Sequence, residues 1–140
     1  MNRADYQELA ELRLAEAECL FRNGMFDGTY HLGGYAVEAA LKACIAKTVN
    51  QHDFPPRNTQ RDYYTHDLEV LLKTAALDIM IADDRKANAT LNRYWKIVKR
   101  WKEDSRYEPR GSKSQGIVRE FLLAITDASG GVLTWIKKRW

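Results

Sequence analysis

The chain has 140 residues, of which 45% are hydrophobic and 29% charged. This is the composition of an ordinary globular protein, and the length fits one domain with its own core, here residues 1–140. Formal net charge is +3, but residues 1–84 carry a net of −6 and residues 85–140 a net of +9. That asymmetry suits attraction of a polyanion or self-association. No apolar run is long enough for a transmembrane helix. Met1-Asn2-Arg3-Ala4-Asp5 leads into polar, helix-forming sequence without the apolar stretch of a signal peptide, so the expected location is the cytoplasm, with no membrane partner.

Residues 4–23 read as a first helix, with Asp5, Glu8 and Glu11 near its positive end and Asn23-Gly24 as a stop. Residues 26–49 read as a second. Tyr30, Val37, Leu41, Cys44 and Ile45 recur at helical spacing, among many alanines. Gly33-Gly34 weakens helix propensity, and close approach of another helix would explain it. Glu38 and Lys42 stand four apart and can pair. Residues 50–65, with Pro55 and Pro56, read as a long loop.

A third helix is expected over residues 66–80, capped by Thr65, and a fourth from Asp83 or Asp84 to about Glu103. The fourth carries Leu91, Tyr94, Trp95, Val98 and Trp101 on one stripe and Arg93, Lys96, Lys99, Arg100 and Lys102 on the other. Aromatics between basic residues can stack bases and hold phosphates, but are more often core beside a solvated face. Residues 104–112 form a polar connector. The last helix is expected to run over residues 113–138, unbroken at Gly130-Gly131 because its apolar register continues across them. No strand-like alternation occurs. Cys19 and Cys44 lie in apolar helical patterns and read as reduced core residues, since no metal-site spacing accompanies them.

Three motifs in order carry a family resemblance. They are Ala36-Val37-Glu38-Ala39-Ala40-Leu41-Lys42-Ala43, then His66-Asp67-Leu68-Glu69-Val70-Leu71-Leu72, then Arg106-Tyr107-Glu108-Pro109. Together they resemble the HEPN family (higher eukaryotes and prokaryotes nucleotide-binding). The resemblance implies an all-α, up-and-down bundle of four to five helices, usually a homodimer, acting in RNA or nucleotide biology. One form of the family is a metal-independent RNase of defence or toxin–antitoxin systems, needing no cofactor. The alternative is a non-catalytic module that binds a nucleotide or a partner nucleotidyltransferase.

The RNase form carries R-x(4–6)-H, and Arg61 to His66 matches it once. Metal-free RNA cleavage needs a group to move a proton at the ribose 2′-hydroxyl and a cation at the charged phosphorane, and His and Arg supply both. In typical RNases of this family the motif falls in a later helix, often with Tyr two residues after the His, whereas here that position is Leu68. The other reading of His66 is a cap that packs on the loop. Arg106, Tyr107, Arg110 and Lys113 are candidates to line a nucleotide- or RNA-binding cleft beside His66, or to anchor the connector. His31 reads as a packing residue and His52 as solvated. There is no phosphate-binding glycine loop, no dinucleotide fingerprint, no zinc-protease motif and no serine-nucleophile elbow, so ordinary ATPase, dehydrogenase and protease functions have no support.

Overall fold

A computed structural model describes residues 1–49 and 63–140, and among these every regular element is helical. The elements in chain order are α1 (Arg3–Arg22), α2 (Phe26–Val49), α3 (Leu68–Thr74), α4 (Asp78–Ala87), α5 (Ala89–Val98), a 3-10 helix (Glu103–Tyr107), α6 (Gln115–Thr126) and α7 (Val132–Lys137). The class is therefore all-α, with seven α-helices among the described residues. No helix among them is long and apolar enough to cross a membrane.

Helix α1 opens with a reciprocal cap. Asn2 accepts from the Asp5 backbone N–H, and Asp5 accepts from that of Asn2. It ends where Gly24 adopts φ +73°, with the Met25 N–H reaching back to the Leu20 carbonyl. This left-handed stop turns the chain so that α2 lies along α1.

Helix α2 is the centre of the molecule and touches α1, α3, the 3-10 helix, α6 and α7. Six consecutive residues, Ala36 to Leu41, are buried, so this helix is enclosed on all sides. Small side chains make that enclosure possible, because neighbours must come close to its backbone. At Gly34 a Cβ would lie 2.0 Å from the Trp101 ring, and at Gly33 it would lie 2.9 Å from Phe121. The close approach expected at the paired glycines is thus made by Phe121 on α6 and by Trp101, which follows α5.

The second half of the chain is cut into shorter pieces than the sequence predicts. The expected helix over 66–80 stops at Thr74, since Ala76 takes φ +58°, and a new helix starts at Asp78. Its cap is Asp67, which accepts from the Glu69 and Val70 N–H groups, and not Thr65. The expected helix from Asp83 to Glu103 is broken at Asn88, whose backbone is extended and whose side chain caps α5 through the Leu91 N–H. It ends at Val98, where the chain turns to bring Trp101 inward. The expected unbroken helix over 113–138 stops at Thr126. Asp127 accepts from the Ser129 N–H and from the Tyr94 hydroxyl, which fixes a turn there. A Cβ on Gly131 would stand 2.6 Å from the Asp127 backbone, so glycine is required in that turn. Val132 and Trp135 keep their helical register but reach the core from a separate helix.

Trp95, Trp101, Phe121, Leu41, Leu71 and Leu133 are among the buried residues of the shared core. Cys44 is buried, and burial pushes its thiol up to about 11, whereas Cys19 is exposed on the outer side of α1 rather than in the core.

The two glycine environments give opposite expectations. Gly34→Ala should lower unfolding free energy by about 2–3 kcal/mol, because overpacking outweighs the gain of about 1 kcal/mol in helix propensity. Gly116→Ala, with no atom near its added Cβ, should leave stability unchanged or raise it by up to about 1 kcal/mol. Urea unfolding of both variants beside the parent checks this.

Candidate functional site

The site begins with Glu38, a carboxylate in the middle of the enclosed stretch of α2 and only 5% exposed. A buried charge is costly unless it is paired and hydrogen-bonded. Here one carboxylate oxygen accepts from Lys42 at 2.7 Å, one turn along α2. The other lies 2.9 Å from Nδ1 of His66, just ahead of α3. A carboxylate can only accept, so His66 carries a proton on Nδ1, between the two groups. The His66 ring is 42% exposed, and its Nε2 edge faces a groove.

That groove has a volume of about 310 Å³ and is lined by residues 65–67, Glu69, Lys99 and residues 101–104. It lies at the small end of ligand sites. Glu103, at the start of the 3-10 helix, approaches His66 Nε2 at 3.9 Å and pairs with Arg106 at 2.8 Å. The Tyr35 hydroxyl donates to Glu103 at 3.3 Å, and burial followed by the Glu103 charge raises the Tyr35 pKa, so it remains a donor. Tyr35 also meets the rings of His66, His31 and Trp101 edge-on or nearly so. His31 is held neutral mainly by burial and then by Arg106, and its Nδ1 lies 3.4 Å from the Ser105 hydroxyl. It packs, as the sequence suggests, and helps to fix the 3-10 helix. Among the described residues no group of His, Cys, Asp and Glu is arranged to hold a metal ion.

Of the residues singled out in the sequence, His66 and Arg106 are brought together, with Glu103 between them. Arg61 lies outside the described residues. Tyr107 is 74% exposed and carries the Arg106 guanidinium over its ring at 4.7 Å. Arg110 and Lys113 line a different depression, formed with Met25, Phe26 and Asp27 at the start of α2. Lys113 sits over the Tyr30 ring and pairs with Glu108. The four candidates therefore do not line a single cleft with His66. Trp95 and Trp101 are each 2% exposed, so neither ring is open to a base.

Glu38, Glu103 and Tyr35 escaped the sequence reading as partners of His66. One signal pointed to Glu38: it is a charged residue flanked by Ala36, Val37, Ala39, Ala40 and Leu41, where a solvated face is impossible. Nothing in the sequence pointed to Glu103.

In comparisons with known proteins, the chain matches no protein-family model, no curated protein and no solved structure.

The connector that carries Arg106 and Tyr107 is tied to α2 by Asp27, which accepts from the Gly111 N–H at 2.7 Å and the Lys113 N–H at 2.9 Å. These bonds hold the Asp27 carboxyl below its ordinary value of 3.8. A depressed folded-state pKa contributes stability that is complete above the unfolded value and is lost as pH falls through the folded one. The parent should therefore lose stability between about pH 5 and pH 2 more steeply than Asp27→Asn. Urea midpoints measured across that interval give the comparison, and parallel curves would show that the tie contributes nothing.

Proposed function

We propose that this chain is a HEPN-like protein acting in RNA or nucleotide biology, with Glu38 and His66 as an acid–base pair that works on RNA without metal. The observation that carries the reading is the contact of 2.9 Å between the buried Glu38 and His66 Nδ1. With Nδ1 held by the carboxylate, the ring is oriented so that Nε2 lies at the groove, and in its neutral form Nε2 is the nitrogen that can take a proton. The meeting of the three resembling segments also supports it: Glu38 comes from the first, His66 from the second and Arg106 from the third, with Glu103 joining the last two.

In this reading His66 Nε2 removes the proton of a ribose 2′-hydroxyl. The 2′-oxygen attacks the adjacent phosphorus, the bond to the 5′-oxygen breaks, and that oxygen leaves with a proton from solvent. The products are a 2′,3′-cyclic phosphate and a 5′-hydroxyl. Glu38 acts as a positioning residue, since it orients the ring and stabilises the imidazolium that forms. Lys102, which lines the groove and has no carboxylate within ion-pairing distance among the described residues, is the cation offered to the phosphorane, with Lys99 beside it paired to Glu69. Arg61 enters only through the resemblance, as does the homodimer in which two such sites meet. A role in defence or in a toxin–antitoxin pair has the same basis.

One observation favours a second reading. Glu103 faces His66 Nε2 and also occupies Arg106, and Asp67, Glu69 and Asp104 add further negative charge at the groove. A site already satisfied by its own carboxylate suits a non-catalytic module that binds a nucleotide or a partner nucleotidyltransferase.

RNA cleavage in EDTA separates the two. The parent should release fragments ending in 2′,3′-cyclic phosphate, and His66→Ala should slow this by about 100-fold or more. Glu38→Gln should reduce the rate less and shift its pH profile, with helicity by circular dichroism confirming that both variants fold. A folded parent that leaves RNA intact would refute the catalytic reading and direct the search to nucleotide binding.

A further inference from the structure

We infer that the outer face of α5 is a track for the RNA backbone that leads into the His66 groove, an inference that rests on the RNA reading above and assigns the surface that grips the strand.

Between Asp84 and Glu103 lie seven Lys or Arg residues and no Asp or Glu. On α5 the buried residues Leu91, Tyr94, Trp95 and Val98 form one face. With successive residues about 100° apart around the helix, Arg93 and Lys96 fall on the opposite side of α5, Arg100 follows in the turn just after it, and all three are exposed. Arg93 and Lys96 stand about one helical turn apart along α5, and Arg100 continues the basic run four residues further on. Arg93 lies against the edge of the core, over the Tyr94 ring at 5.1 Å. Among the described residues no carboxylate is within ion-pairing distance of Lys96, Arg100 or Lys102, whereas Lys99 is paired with Glu69 at 3.7 Å. Unneutralised cations in a row, with no acid between them, raise a local positive potential that repeats along one direction.

The chemistry of this face selects its partner. A protein interface needs an apolar centre that excludes water, and the basic run of Arg93, Lys96 and Arg100 offers no large apolar residue. A linear polyanion needs only evenly placed cations. With both tryptophans buried in the core, the track cannot stack bases and must hold phosphates without regard to sequence. At its end, Lys99 and Lys102 line the groove into which His66 faces, so a strand lying on α5 is delivered to Nε2.

Two double variants of the full chain test the inference, Lys96→Gln/Arg100→Gln on the track and Arg22→Gln/Lys138→Gln on exposed positions elsewhere. The probe is a short fluorescein-labelled 2′-O-methyl oligouridine, which cannot be cleaved, followed by anisotropy over a series of KCl concentrations. Each phosphate contact on a single strand contributes about 0.7 to the slope of log affinity against log salt. The track variant should lose about 1.4 from that slope and bind more weakly at low salt, while the other variant keeps the parent's slope. Equal losses in both variants, an unchanged slope in the track variant, or no binding by the parent would overturn the inference. Failure of the catalytic reading is distinguishable: a parent that binds through the track yet leaves RNA intact removes the reaction and keeps the track. A parent that cleaves RNA with unchanged rate in the track variant removes the track and keeps the reaction.

Discussion

The seating of the Trp101 ring on Gly34 is the contact on which the site depends. No side chain fits at position 34, since a Cβ there would overlap the indole. The absence of one lets the segment after α5 lie directly on the central helix. Residues that follow Trp101 are thereby brought over the part of α2 that carries His31, Tyr35 and Glu38. Glu103 reaches Tyr35 and His66, and Ser105 reaches His31. A large hydrophobic burial, with little freedom to shift, thus sets the positions of groups whose chemistry needs accuracy of a fraction of an ångström. The same packing explains why the tryptophans of this region are buried while the cations around them are exposed.

Glu38 gives the site its rigidity and its polarity. Its neighbours along α2 are apolar, and its two oxygens are fully used by Lys42 and His66. Removing either partner would leave part of a buried charge unanswered, so the three side chains form one unit. The arrangement places the negative member inside and the histidine edge outside. That direction suits a base at the surface.

The sequence carried the helical class, the enclosed character of α2 and the turn at Gly24 through signals that are local. Apolar spacing, alanine content and an Asn-Gly stop act within one or two helical turns. The breaks in the second half were not legible, because each depends on a partner far away. Ala76 has no intrinsic preference for a positive φ, and Asn88 is equally at home within a helix. The turn at Asp127 is held by Tyr94, on another helix. At Gly130-Gly131 the apolar register continued although the helix did not, since Val132 and Trp135 return to the same core from a new direction. The site was legible in proportion. His66 and Arg106 could be singled out as residue types near loops, and the Glu38–Lys42 pair followed from spacing. The meeting of Glu38 with His66 required the fold, and Glu103 required the seating of Trp101. Arg110 and Lys113 were grouped with His66 by sequence proximity to Arg106, but the tie to Asp27 carries them to the start of α2.

The distribution of charge sets the groove apart from the outer face of α5. Four carboxylates stand around the groove, against Lys99, Lys102 and the Arg106 that pairs with Glu103, so its lining offers a phosphate chain little net attraction. The outer face of α5 has no such opposition. On the proposed reading, a strand held there by its phosphates would approach the groove with its electrostatic attraction already satisfied outside. The proposed separation of grip from chemistry follows the partition of the sequence into an acidic first part and a basic second part: Glu38 sits in the acidic part and the cations of α5 in the basic part. The His66 groove lies where the two parts meet, because Trp101 brings them together on Gly34.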